Sequence, residues 1–448
     1  MQQPGLDSLD FISNETYARS GYPHAAWARL RREAPIYWNT QHVSNPFWAV
    51  TKHADVVWIS KQPELFHNGP RLAVLPEFVA APQEERLLRH LLNMDPPDHA
   101  RYRKLVSHRF TPRGLGRMQH DIETITRELL DAMAGDGSEQ CGDLVEKLSA
   151  PLPLNVLAEL LGVPRSMWPR LFQWTNEIAG AADPEYQRAG EGPMETAQRA
   201  RLQLFGYFGE MAAARRSKPL DDIVSLLANA KLGAAAVPTM ELLSYFFLLV
   251  VAGNETTRNA MTGGVLALIE NRDEWRKLKA NPALVDCAVE EIVRWTTPVI
   301  QFCRTPIRDV VVRDTKIRAG ENLCLFYPSA NRDEEVFDEP FAFRVDRTPN
   351  RHIAFGIGEH FCLGANLARL ELRVVFRHLL ERVDAIDLAG PVERLRSSFL
   401  GGIKRMPVRY CSSTPSRSRR RPRSRSRGSR RRALRAGARC ALRRARSG

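Results

Sequence analysis

The chain has 448 residues, 44% of them hydrophobic and 26% charged, enough apolar material for a substantial core and too much for a chain disordered throughout. A formal net charge of +14 invites a nucleic-acid reading, but residues 411–448 hold 15 arginines and no acid. That leaves 50 of the 65 Lys and Arg residues upstream to face all 51 acids, so the body is close to neutral.

Seven cysteines without paired spacing argue against a disulfide framework and fit a reducing, cytoplasmic setting. The first eleven residues lack the apolar core of a signal peptide. The longest apolar run, residues 242–252, is too short to span a bilayer. These features predict a soluble protein with no membrane anchor.

Residues 12–36 read as a polar helix stopped by Pro35. Phe47-Trp48-Ala49-Val50-Thr51 is aromatic and β-branched and predicts a strand, with a short helix over 54–60. Residues 69–85 hold no period, and Pro76 and Pro82 break them. In residues 94–106 two prolines and Asp98 mark a helix start, which puts His99 and Arg103 one turn apart on one face. Two such donors suit a carboxylate; the alternative is a solvated basic face. Residues 116–233 alternate helical patterns with polar loops, and the Gly- and Pro-rich stretch 183–193 reads as a mobile connection.

A helix is predicted from Pro238 to Ile269, with Pro238 in its first turn. Residues 242–251 are apolar all round, the mark of a buried helix. Into it the chain sets Ala252-Gly253-Asn254-Glu255-Thr256-Thr257. A glycine, an acid and two hydroxyls in mid-helix break a local rule, as functional sites do. The plain alternative is a threonine bonded back to a carbonyl and a glutamate paired with an arginine. Residues 289–295 are helical and place Glu291 and Arg294 on one face. Residues 297–304 read as an extended strand.

The chain then reaches Phe355-Gly356-Ile357-Gly358-Glu359-His360-Phe361-Cys362-Leu363-Gly364. Three glycines permit a tight, bare loop. Leu363, Leu367, Leu370 and Val374 continue it as an amphipathic helix, so Cys362 sits at a helix N-terminus where a thiolate is favoured. A thiolate in a bare cradle is what an axial ligand to haem iron requires. A buried core thiol is the competing reading.

The pattern filled by Phe355, Gly358, Cys362 and Gly364 resembles the haem-binding signature of the cytochrome P-450 family. Residues 252–257 resemble its oxygen-activating motif, and Glu291 with Arg294 its ExxR element. The resemblance spans about residues 10–410. It implies a mainly α fold with a smaller β portion and one domain over 1–410; residues 411–448, almost entirely Arg, Ser, Ala, Gly and Pro, read from their composition as a disordered Arg/Ser-rich tail. It implies haem b with Cys362 as the iron ligand, Phe355, Gly356 and Gly364 around it, and His99, Arg103, Arg304 and His360 on the propionates. Gly253 would admit dioxygen through a local widening of the helix, Thr256 would hydrogen-bond the bound oxygen, and Glu255 would relay protons. Val299, Ile300, Phe302, Phe399 and Leu400 would contact substrate, as would Arg71, Leu72 and Val74.

Many members carry an arginine where this chain has Ala342, so either Arg344 or Arg347 completes the ion triad or it is reduced to a pair. The implied activity is hydroxylation of a bulky apolar substrate (steroid, terpenoid or branched lipid) with O2 and two electrons from a ferredoxin-type partner. That partner would meet the basic face of Arg101, Lys104, Arg109 and Arg113. Rival readings are a peroxygenase or rearranging haem enzyme, a haem-binding sensor, and a nucleic-acid binder acting through the tail. No aromatic residue interleaves the tail arginines to stack on bases, so nucleic acid is not an expected partner.

Overall fold

The computed structural model describes residues 5–40, 45–75, 88–134 and 139–412. Helices α1 (Asn14–Ser20) and α2 (His24–Glu33) lead into strands β1 (Ile36–Asn39) and β2 (Phe47–Val50), helix α3 (His53–Ser60) and the short strand β3 (Phe66–His67). The helical body runs α4 (Asp98–Lys104), α5 (Met118–Met133), α6 (Pro151–Leu161), α7 (Trp168–Ala179), α8 (Pro193–Ser217), α9 (Ile223–Ala228), α10 (Thr239–Glu270), α11 (Arg272–Ala280) and α12 (Val285–Thr296). Its connections hold β4 (Gln140–Asp143), β5 (Lys231–Leu232) and β6 (Ala235–Ala236). Strands β7 (Gln301–Pro306), β8 (Val310–Val312), β9 (Thr315–Ile317) and β10 (Leu323–Phe326) follow, then α13 (Tyr327–Ala330) and α14 (Ala365–Arg382). The described chain closes with β11 (Val383–Leu388), β12 (Glu393–Arg394), β13 (Ile403–Arg405) and β14 (Pro407–Ser412). The fold is mainly α with a smaller β portion. Among the described residues no helix is long and apolar enough to cross a membrane.

The single helix expected over 12–36 is two. Gly21 takes φ +72°, a left-handed conformation that ends α1, and Pro23 starts α2. Strand β14 pairs through Ser412, two residues past the expected domain end. The expected tail beyond it, and residues 76–85 of the unpatterned stretch, lie outside the described residues. Residues 183–193 are tied down: Asp183 is buried and accepts from Lys404 Nζ at 3.0 Å, and Pro184–Tyr186 forms a 3-10 turn.

The main sheet has the order β1-β2-β10-β7-β3, parallel only between β2 and β10. Register sets Cys324 opposite Cys303 and Leu325 opposite Phe302. Successive strand residues face opposite sides, so Leu323, Leu325 and Phe302 join one cluster while Cys324, Phe326 and Cys303 join another with Phe11 and Ile300. This alternation decides which β7 side chains reach the site.

Helix α10 runs through the largest cluster and packs against α6, α8, α12 and α14. Its Leu242, Tyr245, Phe246 and Val250 are buried, each such large apolar side chain contributing about 2 kcal/mol. Gly264 makes the close approach possible, because a Cβ there would stand 2.6 Å from Ile292 of α12 and 2.9 Å from Phe376 of α14.

Helix α12 anchors the segment that leads into the cysteine loop. Glu291 is fully buried and accepts from Arg294 Nε and Nη2, both at 2.7 Å, and from Arg347 Nε at 3.1 Å. Arg347 also donates to the carbonyls of Asp338, Glu339 and Ala342. The triad is therefore complete with Arg347, and Ala342 contributes only its carbonyl. Arg344 stands at the surface, 3.5 Å from Glu339. Asn331 joins the same scaffold: its carbonyl accepts from Arg294 and its Oδ1 from the Ile353 amide.

Candidate active site

A cavity between α10 and the 354–364 loop holds about 1530 Å³ of space free of protein atoms, part of it open to solvent. Cys362 lines it just ahead of α14, its amide bonded to the Phe355 carbonyl at 2.8 Å. The loop turns at Gly356 (φ +70°) and Gly358 (φ +78°), and a Cβ on Gly358 would stand 2.4 Å from the Ser60 carbonyl at the end of α3. Gly364 has φ −86° and needs no special backbone; a Cβ there would meet nothing within 4 Å. Its role is to leave space beside the thiol.

Cys362 is exposed and borders the cavity. Burial pushes the thiol up, against the amide of Gly364 and the charge of Arg103, which pull it down. The amides at the start of α14 pull toward the thiolate, as the helix N-terminus predicts, and burial opposes them.

Four donors gather at one side of the cavity: His99 and Arg103 from α4, Arg304 from β7 and His360 from the loop. The His99 and His360 rings lie 4.0 Å apart. Burial first, then neighbouring cations, holds His99 down at about 4 and His360 at about 2, so both are neutral. His99 Nδ1 and His360 Nε2 are buried without a partner. Arg103 gives one N–H to the Phe361 carbonyl and Arg304 one to the Cys303 carbonyl. The acid among them, Glu359, stands 3.9 Å from His99 Nδ1. A sulfur donor, a bare loop, two arginines and two unpartnered imidazole nitrogens suited to carboxylates fit a haem.

Gly253 and Thr256 line the opposite wall with Ala252, Thr257 and Ala260. Helix α10 runs unbroken through this turn, and a Cβ at Gly253 would meet Leu157 of α6 at 3.3 Å. Thr256 Oγ1 donates to the Ala252 carbonyl at 2.8 Å, the plain helical bond, while its side chain still borders the cavity.

Glu255 faces away. It is 2% exposed, 3.1 Å from Arg258 Nη1 and 3.3 Å from Asn254 Nδ2, and is not among the residues lining the cavity. Burial pushes its carboxyl up against the pull of Arg258. Arg258 reaches on to Asn176 and Tyr186, and Asn254 to Thr175. This polar group had no signature beyond an arginine three residues after the glutamate. Glu371 of α14 was also missed: it lines the cavity, is buried, and its carboxyl is pushed well above the usual range by burial.

Of the expected substrate contacts, Val299 and Phe302 line the cavity. Ile300 is fully buried in the N-terminal cluster, and Leu400 is buried where it bridges to Val299. Phe399 stacks edge-on against Phe302 at 5.7 Å, one layer back. Val74 is buried against Gln301, Leu72 accepts from the Cys303 amide, and Arg71 is exposed and donates to the Gly320 carbonyl; none of the three lines the cavity. On the basic face, Arg101 and Arg109 pair with Asp98 and Asp221, while Lys104 and Arg113 are exposed.

A family model described as cytochrome P450 matches residues 75–392. A steroid C26-monooxygenase of Mycobacterium tuberculosis (strain ATCC 25618 / H37Rv) is 38% identical over 418 residues, 91% of this chain and 94% of that protein. A methyl-branched lipid omega-hydroxylase of the same strain is 38% identical over 415 residues, 90% and 94% of the two chains. A Mycobacterium marinum cytochrome P450, CYP268A2 in complex with pseudoionone, superposes with a TM-score of 0.82 at 33% identity, covering 91% of this chain and all of that one.

Proposed function

Because this chain belongs to the cytochrome P450 family, we propose that it is a haem-thiolate monooxygenase that hydroxylates a C–H bond of a bulky apolar molecule: a steroid, a terpenoid or a branched lipid. The observation that carries this reading is the placement of Cys362 and Thr256 on opposite walls of one cavity. Bound haem b supplies dioxygen activation, placing one oxygen atom in the substrate and releasing the other as water at the expense of two electrons and two protons.

Cys362 holds the iron, with Phe355, Gly356 and Gly364 keeping the loop bare around it. His99, Arg103, Arg304 and His360 would bind the two carboxylates; the unpartnered His99 Nδ1 and His360 Nε2 make this the favourable outcome. Leu91, Leu92, Leu248, Leu249, Val299 and Phe302 exclude water and hold an apolar substrate by its surface. Thr256 keeps hydrogen-bonding capacity at the cavity wall, since its hydroxyl oxygen still has lone pairs after donating to Ala252. Glu255 reaches that hydroxyl only by leaving Arg258, so proton delivery is gated by their ion pair.

Electrons come from a ferredoxin-type partner, for which exposed Lys104 and Arg113 raise the encounter rate with an acidic surface. A reducing cytoplasm suits the six free thiols among the described residues. The catalytic domain is residues 1–410 with the short continuation of β14, and the arginine-rich remainder is an appendage dispensable for oxidation. The test is turnover with a ferredoxin and its reductase on a sterol, a methyl-branched fatty acid and a monoterpene alcohol. A product heavier by one oxygen atom, labelled from 18O2, supports the reading; label only in water, with every substrate, sinks it.

A further inference from the structure

Arg369, Glu290 and His352 gather at Phe355, and none of the three is among the residues lining the cavity. Arg369 stands on α14, a short way past Cys362, and its guanidinium carbon lies 4.4 Å from the centroid of the Phe355 ring. Its Nε and Nη2 donate to the two carboxylate oxygens of Glu290 on α12, at 2.7 and 2.8 Å. His352 Nδ1 accepts from the Ala354 amide at 3.3 Å, which leaves Nε2 to donate to the same carboxylate at 3.0 Å.

This arrangement joins a cation to the support of the sulfur. The Phe355 carbonyl holds the Cys362 amide at 2.8 Å, so the ring that Arg369 covers belongs to the residue that positions the thiol. A guanidinium is attracted to an aromatic face, and a bidentate carboxylate fixes its plane there. The side chains of Arg369 and Glu290 are only 21% and 28% exposed, so water and salt screen their charges incompletely. Arg369 is near enough for its charge to act on the Cys362 sulfur.

We propose that, with Cys362 ligating haem iron as read above, Arg369 is a positioning residue that fixes Phe355 beside the thiolate and whose charge favours the reduced state of the iron. One electron from the ferredoxin-type donor takes ferric to ferrous iron, with no bond made or broken, and so adds one negative charge beside Cys362. A neighbouring cation stabilises that charge and a neighbouring anion opposes it. Arg369 and Glu290 therefore act on the iron with opposite signs. A brace that did no more than tie α14 to α12 would be lost alike from either side.

The experiment is a redox titration of the full-length, haem-loaded protein with soluble mediators, followed by visible absorption. It compares the parent with Arg369→Gln, Arg369→Lys and Glu290→Gln, and the carbon monoxide spectrum of each reduced protein is recorded alongside. At the parent's midpoint the ferrous-to-ferric ratio should fall by about threefold or more in Arg369→Gln and rise, by a smaller factor, in Glu290→Gln. Arg369→Lys keeps the charge and loses the planar fork, and should stay nearer the parent than Arg369→Gln. Either neutralising variant gives a sign by itself, so misfolding of one leaves the other decisive. Unchanged ratios, or shifts in the same direction from Arg369→Gln and Glu290→Gln, overturn the proposal while a thiolate Soret band in the parent upholds the ligation by Cys362; a parent without that band overturns both.

Discussion

Replacing Arg347 by alanine tests the anchoring of the cysteine loop. The side chain makes four hydrogen bonds, one to the fully buried Glu291 carboxylate and three to the carbonyls of Asp338, Glu339 and Ala342. Removing one member of a buried ionic group costs roughly 3–5 kcal/mol. Arg294 still holds Glu291 bidentately, and water can reach the carbonyls of exposed Asp338 and Glu339, so the loss should be about 3 kcal/mol, the low end. Arg344→Ala removes only contacts to Asp338 and Glu339, whose side chains are 88% and 68% exposed, and should cost under about 1 kcal/mol. Urea unfolding of the haem-loaded protein, with haem in excess, gives both numbers. Similar costs for the two variants, or a larger one for Arg344→Ala, would refute the assignment of Arg347 to the triad.

Acid stability should depend on Glu290. Burial opposes its ionisation, but hydrogen bonds from Arg369 and His352 outweigh that and hold the carboxyl down at about 2. Its folded value lies below the unfolded one, so its stabilisation is present above pH 4.5 and fades as pH falls toward 2. After discounting for partial exposure this is worth about 1–2 kcal/mol, and Glu290→Gln should flatten the unfolding profile over that window. Gly358→Ala forces a left-handed residue and a clash with the Ser60 carbonyl, so it should shed haem during gel filtration while Gly320→Ala, left-handed but with open space around it, keeps it. Thr256→Val should cut product per O2 consumed by about ten- to a hundredfold while leaving substrate affinity near that of the parent, as loss of a proton-positioning group would.

The parts of this protein legible in its sequence were those whose chemistry is contiguous. Gly356 to Gly364 and Ala252 to Thr257 each present their residue types within a few positions, and Glu291 with Arg294 needs only one helical turn. What was missed depends on partners far along the chain. Arg347 reaches Glu291 across 56 residues, and nothing in the local pattern separates it from Arg344. The facing of Ile300 and Phe302 is fixed by β10 and the 399–400 segment, so an apolar run alone could not tell cavity from core. Glu255, read as a proton relay, does not line the cavity: Arg258 holds it, and Asn176 and Tyr186 hold Arg258 in turn, a set of partners that the local motif does not show.

The most direct test of the central claim is the carbon monoxide difference spectrum of the reduced, haem-loaded protein and of Cys362→Ser. The parent should show the long-wavelength Soret band of a thiolate-ligated ferrous haem, and the serine variant should lose it. The same band in both, or in neither, would mean that Cys362 does not ligate the iron and that the active site has been assigned to the wrong sulfur.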